Sequence, residues 1–388
     1  MRIAQVTTTL QGGAGIAAIR LSEALNRIGV DSSVVSQQMA GRGTSIRSKA
    51  TSLAQRRLIQ KGSDLITSIS IDALRATETE EFDLLHFHSI YNLTSTQKLL
   101  KLAERKHLVF TLHDQRLFTG GCHYSGSCVE YAKLCTSCPQ VRFPFRGLVI
   151  RQKELIDKLT KNSNVHFISP SAWLAGLAEK AISKSNLHII RNPIPEYPKN
   201  NSLKAKEEIG IDSSKYVIGF VSVNLLNPLK GLKDLLAALE YIPYSSKKKL
   251  HLLLVGKNGE HIVCREVEST LLDVGTLAGG LNPYSAMDLL VVPSRQDNSP
   301  NVIGEAIMNG VPVLGSQIGG VPEILRELGL PVVNMRDPKK LAEVITEQIG
   351  RPIEKDNLRA QGNELLGYEP IGLKVKALYK EILDRRST

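Results

Sequence analysis

PSRQDNSPNVIGEAIMNGVPVLGSQIGGVPEIL, residues 293–325, decides how this chain reads. The apolar run Leu289–Pro293 leads into it as a buried strand. A polar loop follows with Asp297, Asn298, Ser299, Pro300 and Asn301, and then a helix over Val302–Asn309 that carries Glu305. Gly310 stands where a helix C-cap is wanted, Val311–Leu314 is the next strand, and Gly319-Gly320 opens the helix Val321–Glu327. Strand, loop, helix and strand in such short order mark a parallel sheet covered by helices. Either carboxylate alone reads as structural. Placed together, one in the loop and one in the first helical turns, they point to a binding site at one end of the sheet.

The same alternation runs in both directions from this segment. In the second half, strands are expected at Tyr216–Val223, Leu250–Val255, Leu271–Val274, Leu289–Pro293, Val311–Leu314 and Pro331–Val333. Helices fit Leu232–Tyr241, Pro283–Met287, Val302–Asn309, Val321–Glu327, Pro338–Ile349 and Ile371–Leu383. In the first half, strands fit Arg2–Thr7, Ser33–Ser36, Asp83–His88, Leu108–Leu112, Val165–Ser169 and Leu187–Ile190. The helices there are Ala14–Ile28, Leu53–Ser68, Ser95–Lys106, Arg151–Lys161 and Ala172–Ala181. RNPIPEYPKNN at 191–201 can continue neither element, so a hinge is placed there. The expectation is an α/β protein with two similar Rossmann-like domains, residues 1–190 and 191–370. A last helix within 371–388 crosses back to the first.

Length and composition agree with two domains: 388 residues exceed one ordinary domain, and 42% hydrophobic content suits a globular core. No apolar run approaches the ~20 residues of a membrane span. MRIAQVTTTL lacks the basic flank of a signal peptide and reads as the first strand of a cytoplasmic protein. Net charge is +11, and Arg42, Arg47, Lys49, Arg56, Arg57 and Lys61 cluster in 41–63 without an acid. That cluster is either a solvated helix face or a surface for phosphates, such as an anionic membrane carrying a lipid-linked acceptor. No nucleic-acid motif accompanies it, so nucleic acid is not expected as a partner.

Four of the five cysteines, Cys122, Cys128, Cys135 and Cys138, fall close together. In a cytosolic chain such clustering favours a structural zinc over disulfides, with unligated thiols as the alternative. Three further motifs lie at expected strand ends. Gln11, Gly12, Gly13, Ala14 and Gly15 form a turn that is either plainly tight or in contact with a phosphate at the helix N-terminus. Lys230-Gly231 follows the first strand of the second domain, where a lysine would neutralise a diphosphate or merely sit at the surface. His113 and Asp114 follow one strand and His88 the one before; Asp114 suits a local cap.

Taken together, GGAG, TLHD, SPSAWL, RNPI, PLKG, YSAMDLLVVPS, the acidic loop and helix, and GGVPEI resemble the family-four retaining glycosyltransferases of GT-B architecture, along nearly the whole chain. FTGGCHYSGSCVEYAKLCTSCPQ resembles the subgroup that builds bacterial capsule, exopolysaccharide and O-antigen. The resemblance implies two parallel-sheet domains facing across a cleft, the first for the acceptor and the second for a UDP- or GDP-sugar. It implies that Glu305 binds the ribose hydroxyls, Asp297 the donor sugar, Lys230 the diphosphate, and His113 the neighbourhood of the transferred sugar. Backbone amides around Ser299–Val302 complete the sugar pocket, and Gly13 approaches the diphosphate or acceptor. His113, Asp297 and Lys230 are the expected catalytic residues.

The chain departs from the family pattern twice. Asp297 stands where a glutamate is usual, and Asn224 and Leu225 stand near where an arginine is often found. No Asp-x-Asp motif is apparent, so no catalytic metal is expected. Alternatives are a phosphorylase or epimerase on the same fold, or a non-catalytic, sugar-binding partner subunit.

Overall fold

The structure is a computed structural model that describes residues 1–36, 74, 79–91, 93–273, 281–351 and 353–385. The expected helix Leu53–Ser68 and the basic cluster from Arg42 to Lys61 lie outside these residues. The chain divides into two compact units, Met1–Pro193 with Tyr368–Thr388, and Ile194–Gly367.

The first unit holds β1 (Arg2–Thr7), α1 (Gly12–Arg27), β2 (Asp31–Ser36), β3 (Leu84–Phe87), α2 (Thr96–Ala103), β4 (His107–Thr111), α3 (Arg146–Thr160), β5 (Val165–Ser169), α4 (Ala172–Ala178) and β6 (Leu187–Ile189). Its described strands form one parallel sheet in the order β2-β1-β3-β4-β5-β6. Successive side chains of a strand point to opposite faces, and both faces are buried here. Leu85, Phe87, Leu108 and Phe110 enter one core with Phe118 and Phe167. Ile3, Leu84, Val109 and Ile168 enter the other. That second core is closed by Ile371, Val375, Leu378, Tyr379 and Ile382, on the C-terminal helix Tyr368–Asp384.

The second unit holds α5 (Ser202–Glu208), β7 (Tyr216–Asn224), α6 (Leu232–Tyr241), α7 (Tyr244–Lys247), β8 (Leu250–Lys257), β9 (Glu268–Leu272), β10 (Leu289–Val292), α8 (Asn301–Met308), β11 (Val313–Ser316), α9 (Val321–Glu327), β12 (Val332–Val333), α10 (Pro338–Gln348) and α11 (Lys355–Leu366). In chain order α12 is the helix Tyr368–Asp384 of the first unit. The second sheet is parallel too, in the order β12-β11-β10-β7-β8-β9. Chain order reverses at β7 and β10, which lie side by side with Leu289 opposite Ile218. Open parallel sheets bind ligands beyond the carboxyl ends of the strands at such a reversal.

Local differences from the sequence reading have physical causes. Pro283–Ala286 is a single 3-10 turn, too short and proline-led to become the expected α-helix. Helix α3 begins at Arg146, five residues before the expected Arg151, because the 3-10 turn Phe143–Phe145 feeds directly into it. Ser202–Glu208 and Lys355–Leu366 are helices whose weak apolar periodicity gave no signal.

Candidate functional site

Two loops meet at the reversal in the second sheet. After β7 the chain makes a 3-10 turn, Pro228–Lys230, capped by the Asn227 side chain accepting from the Leu229 N–H at 3.0 Å. Gly231 follows at φ 76°. A Cβ there would lie 1.9 Å from the Pro293 carbonyl oxygen, so only glycine permits this approach to the end of β10. The loop after β10 answers with three contacts. The Arg295 N–H donates to Leu229 O at 2.7 Å, and its guanidinium forks onto Asp234 at 2.7 and 2.8 Å. Lys230 Nζ reaches Asp297 Oδ2 at 2.6 Å.

Asp297 is 7% exposed and its neighbour Asn298 3%. Besides Lys230, Asp297 Oδ2 accepts from the Ser294 hydroxyl at 3.2 Å, and Oδ1 accepts from the Asn298 N–H at 3.1 Å. Its backbone is pinned from the far side by the GG pair: the Gly320 N–H donates to Asp297 O at 3.1 Å. Gly319, at φ 70°, comes so close that a Cβ would sit 1.9 Å from the same oxygen. Nearly every atom of the Asp297 carboxylate and carbonyl is therefore held.

Past Ser299 and Pro300, helix α8 starts at Asn301 without a side-chain cap. Val302 is half-buried, and Glu305 lies one turn in. The Glu305 Oε2 accepts from the Tyr284 hydroxyl at 2.5 Å, and Tyr284 lies on the Pro283–Ala286 turn. The structure thus joins Lys230 to Asp297 and sets Glu305 against Tyr284, a partner the sequence reading did not include. Gly13 lies in the first unit, in the first turn of α1, and a Cβ on it would meet nothing within 4 Å.

In the first unit a buried histidine chain runs beneath the carboxyl ends of β3 and β4. His88 is 5% exposed; its Nε2 lies 2.9 Å from Gln5 Oε1 and its Nδ1 3.1 Å from His113 Nε2. His86 bridges Tyr379 Oη, at 2.5 Å, and Thr111 Oγ1, at 2.7 Å. Burial, first of all, pushes His86 down to about 3 and His113 to about 4, and holds His88 well below the usual imidazole range. All three are neutral near pH 7. The Gln5 carbonyl oxygen can only accept, so His88 carries its proton on Nε2. Its bare Nδ1 then accepts from His113 Nε2–H, which fixes the His113 tautomer.

His113 also lines a cavity of about 310 Å³ with Asp114, Arg116, Tyr91, Arg151 and Gln152. Asp114 Oδ1 accepts from the Arg116 N–H at 2.8 Å, the local cap expected of it. Burial acts to raise the Asp114 carboxyl, but the Arg116 charge and its hydrogen bonds bring it below the usual range. The cavity was not visible in the sequence, because it needs α2 and α3 brought beside two strand ends.

The zinc site expected from the cysteines is not assembled. Among the described residues no group of three or more His, Cys, Asp or Glu side chains is placed to hold a metal ion. None of Cys122, Cys128, Cys135 and Cys138 is in a disulfide. Cys122, Cys135 and Cys138 instead belong to the apolar core beside Phe118 and Val149. Burial, first of all, pushes Cys122 up to about 12 and Cys135 to about 11, with the neighbouring cysteines adding to the shift. Close spacing brought the sulfurs into one region, and apolar packing took them up.

Residues 215–350 match the family described as glycosyl transferases, group 1. The Escherichia coli K12 protein WcaC, named for a glycosyl transferase of colanic acid biosynthesis, is 26% identical over 70% of this chain and 68% of its own. An N-acetyl-alpha-D-glucosaminyl L-malate synthase of Bacillus anthracis is 26% identical over 61% of this chain and 64% of its own. Among solved structures, Anabaena HepE in complex with UDP aligns with TM-score 0.62 at 15% identity, over 98% of this chain and 100% of that one. The sucrose-phosphate synthase of Thermosynechococcus elongatus aligns with TM-score 0.64 at 17% identity, over 99% and 100%. By these matches and its two parallel sheets, the chain has the GT-B fold and is similar to the group 1 glycosyl transferases, whose family model its residues 215–350 match.

Proposed function

We propose that this enzyme is a retaining hexosyltransferase, moving a sugar from a UDP-sugar to a lipid-linked glycan in surface polysaccharide biosynthesis. The observation that carries the reading is the Lys230–Asp297 ion pair at the strand reversal, next to the uncapped N-terminus of α8. A cation and the N–H groups of a helix start together form an anion site, suited to a diphosphate. In this reading Lys230 and the amides around Ser299–Val302 take up the charge that develops on the departing diphosphate. That is electrostatic stabilisation without a covalent enzyme intermediate. Arrival of the diphosphate draws Lys230 away from Asp297 and leaves the carboxylate to accept from sugar hydroxyls. Glu305, fixed by Tyr284, accepts from the ribose.

UDP is favoured over GDP because the HepE structures, though alike in fold only, are described with UDP, with UDP and glucose, and with UDP-glucose. The first unit would receive the acceptor in the cavity beside His113, with Gly13 in the same unit. A lipid-linked acceptor would place the enzyme at the cytoplasmic face of a membrane.

A thermal-shift screen of UDP-, GDP- and ADP-sugars, with free nucleotide release measured in parallel, tests this. Ligand at a hundredfold its Kd should stabilise by about 2.7 kcal/mol. Stabilisation by a GDP- or ADP-sugar alone refutes the UDP assignment. Binding with no turnover on any lipid-linked glycan identifies a sugar-binding subunit instead.

A further inference from the structure

From Tyr131 to Lys153 the chain runs 23 residues without an Asp or Glu, while carrying Lys133, Arg142, Arg146, Arg151 and Lys153. The middle of this segment is the 3-10 turn Phe143–Phe145 and the start of α3. Three large apolar side chains stand out there within six residues: Phe143 at 79% exposure, Phe145 at 36% and Leu148 at 41%. Phe143 is the most exposed large hydrophobic side chain among the described residues. Single exposed apolar residues are ordinary, but a cluster ringed by arginines is not.

The opposite face of α3 explains why the cluster is presented outward. Val149, Lys153, Ile156 and Leu159 are buried in the unit, with Lys153 ion-paired to Asp157. Arg142 is exposed, and the Arg146 guanidinium lies 5.9 Å from the Phe143 ring centroid. The helix has no acid in its first turn and no side-chain cap, yet it opens on a cation. A cation at a helix N-terminus is unfavourable unless an anion is at hand. Leu148 and Arg151 also line the cavity beside His113, so the patch runs into that cavity.

We propose that the Phe143–Leu148 edge, with Arg142, Arg146 and Arg151 around it, docks this enzyme on an anionic lipid bilayer. Phe143 and Phe145 enter the headgroup boundary, and the guanidinium groups meet lipid phosphates. A second copy of the chain fits this surface poorly, since a two-fold contact would set arginines against arginines. Three apolar side chains also fall short of the roughly 20–30 residues a side of a stable protein interface. The inference stands apart from donor identity and would hold if the acceptor were different. A lipid-linked acceptor would give the surface a use, because the cavity opens beside it.

The test is sedimentation of the full chain with vesicles of phosphatidylcholine, alone or mixed with phosphatidylglycerol. Pelleting is expected only on the mixed vesicles and should weaken with added salt. F143S/F145S should reduce binding by about tenfold, and R142Q by about fivefold. Both variants should melt like the parent, because Phe143 and Arg142 are exposed and serine suits the helix-cap position of Phe145. The chain has a single tryptophan, Trp173, so F143W in a W173F background reports on this site alone. Its emission should shift to the blue on mixed vesicles and be quenched by brominated acyl chains. No pelleting on mixed vesicles overturns the proposal, as does pelleting unchanged in F143S/F145S. A blue shift that grows with protein concentration without lipid assigns the surface to a second copy.

Discussion

Lys230→Met removes the cation from a carboxylate that has little water to fall back on. Asp297 is 7% exposed and would keep two hydrogen bonds, from Ser294 Oγ at 3.2 Å and the Asn298 N–H at 3.1 Å. Unit charges ~4 Å apart at an effective dielectric of ~20 attract by about 4 kcal/mol. Breaking a fully buried pair costs roughly 3–5 kcal/mol. The Lys230 side chain is a third exposed, so solvent screening lowers the expected loss to about 2 kcal/mol. For a unit of this size 1 kcal/mol moves Tm by roughly 2–4 °C, giving a drop of about 4–8 °C. Asp297→Asn frees a lysine that can reach water and should cost less, about 1 kcal/mol. The double variant removes both charges, so its loss should be smaller than the sum by about 1–2 kcal/mol. Denaturant unfolding of the four proteins gives this coupling, and calorimetry with UDP gives the binding half. If Lys230 also meets a diphosphate, K230M should lose roughly ten- to a hundredfold in UDP affinity. Strict additivity of the stability losses would refute the ion-pair reasoning. UDP affinity unchanged in K230M would refute the role in donor binding.

Glu305→Gln should weaken UDP by about 1.5–3 kcal/mol with a smaller effect on turnover of bound donor, and Asp297→Asn should do the reverse; equal UDP affinity in wild type and E305Q defeats the assignment. Gly319→Ala should destabilise by about 2 kcal/mol or more and loosen the Asp297 loop, because a Cβ would meet Asp297 O at 1.9 Å on a backbone at φ 70°; a melting temperature equal to wild type contradicts this. For pH, burial holds folded His86 at about 3 and His113 at about 4, below the ~6.5 of an unfolded imidazole. The unfolded chain therefore binds more protons, and this contribution to stability is full above pH ~6.5 and lost as pH falls toward 4. Unfolding at pH 5 should take up about one proton for each of these histidines, read from the pH slope of the unfolding free energy. A flat slope between pH 7 and 5 would show that the chain is not buried neutral.

Much of the site can be read from residue order alone. The Asp297 loop, the Glu305 helix and the Lys230-Gly231 turn are local features, set by a strand ending, a polar break and a helix starting again. The alternation of apolar runs and amphipathic stretches likewise specifies parallel sheets, because strands buried on both faces must be apolar throughout. What no local pattern carries is which strands become neighbours. Lys230 and Asp297 are 67 positions apart and meet because the sheet places β7 beside β10. The histidine chain is similar: Gln5, His88 and His113 come from three strand regions, and Tyr379 reaches His86 across 293 positions from the last helix. The cysteines show the opposite failure. Their spacing suggested a metal, yet among the described residues no metal-holding group is assembled, and Val149 of α3 joins Cys122, Cys135 and Cys138 in the apolar core through tertiary packing. Sequence periodicity sets the elements because it records which face each must bury. Tertiary structure sets the chemistry, because charge pairing and burial depend on neighbours distant in the chain.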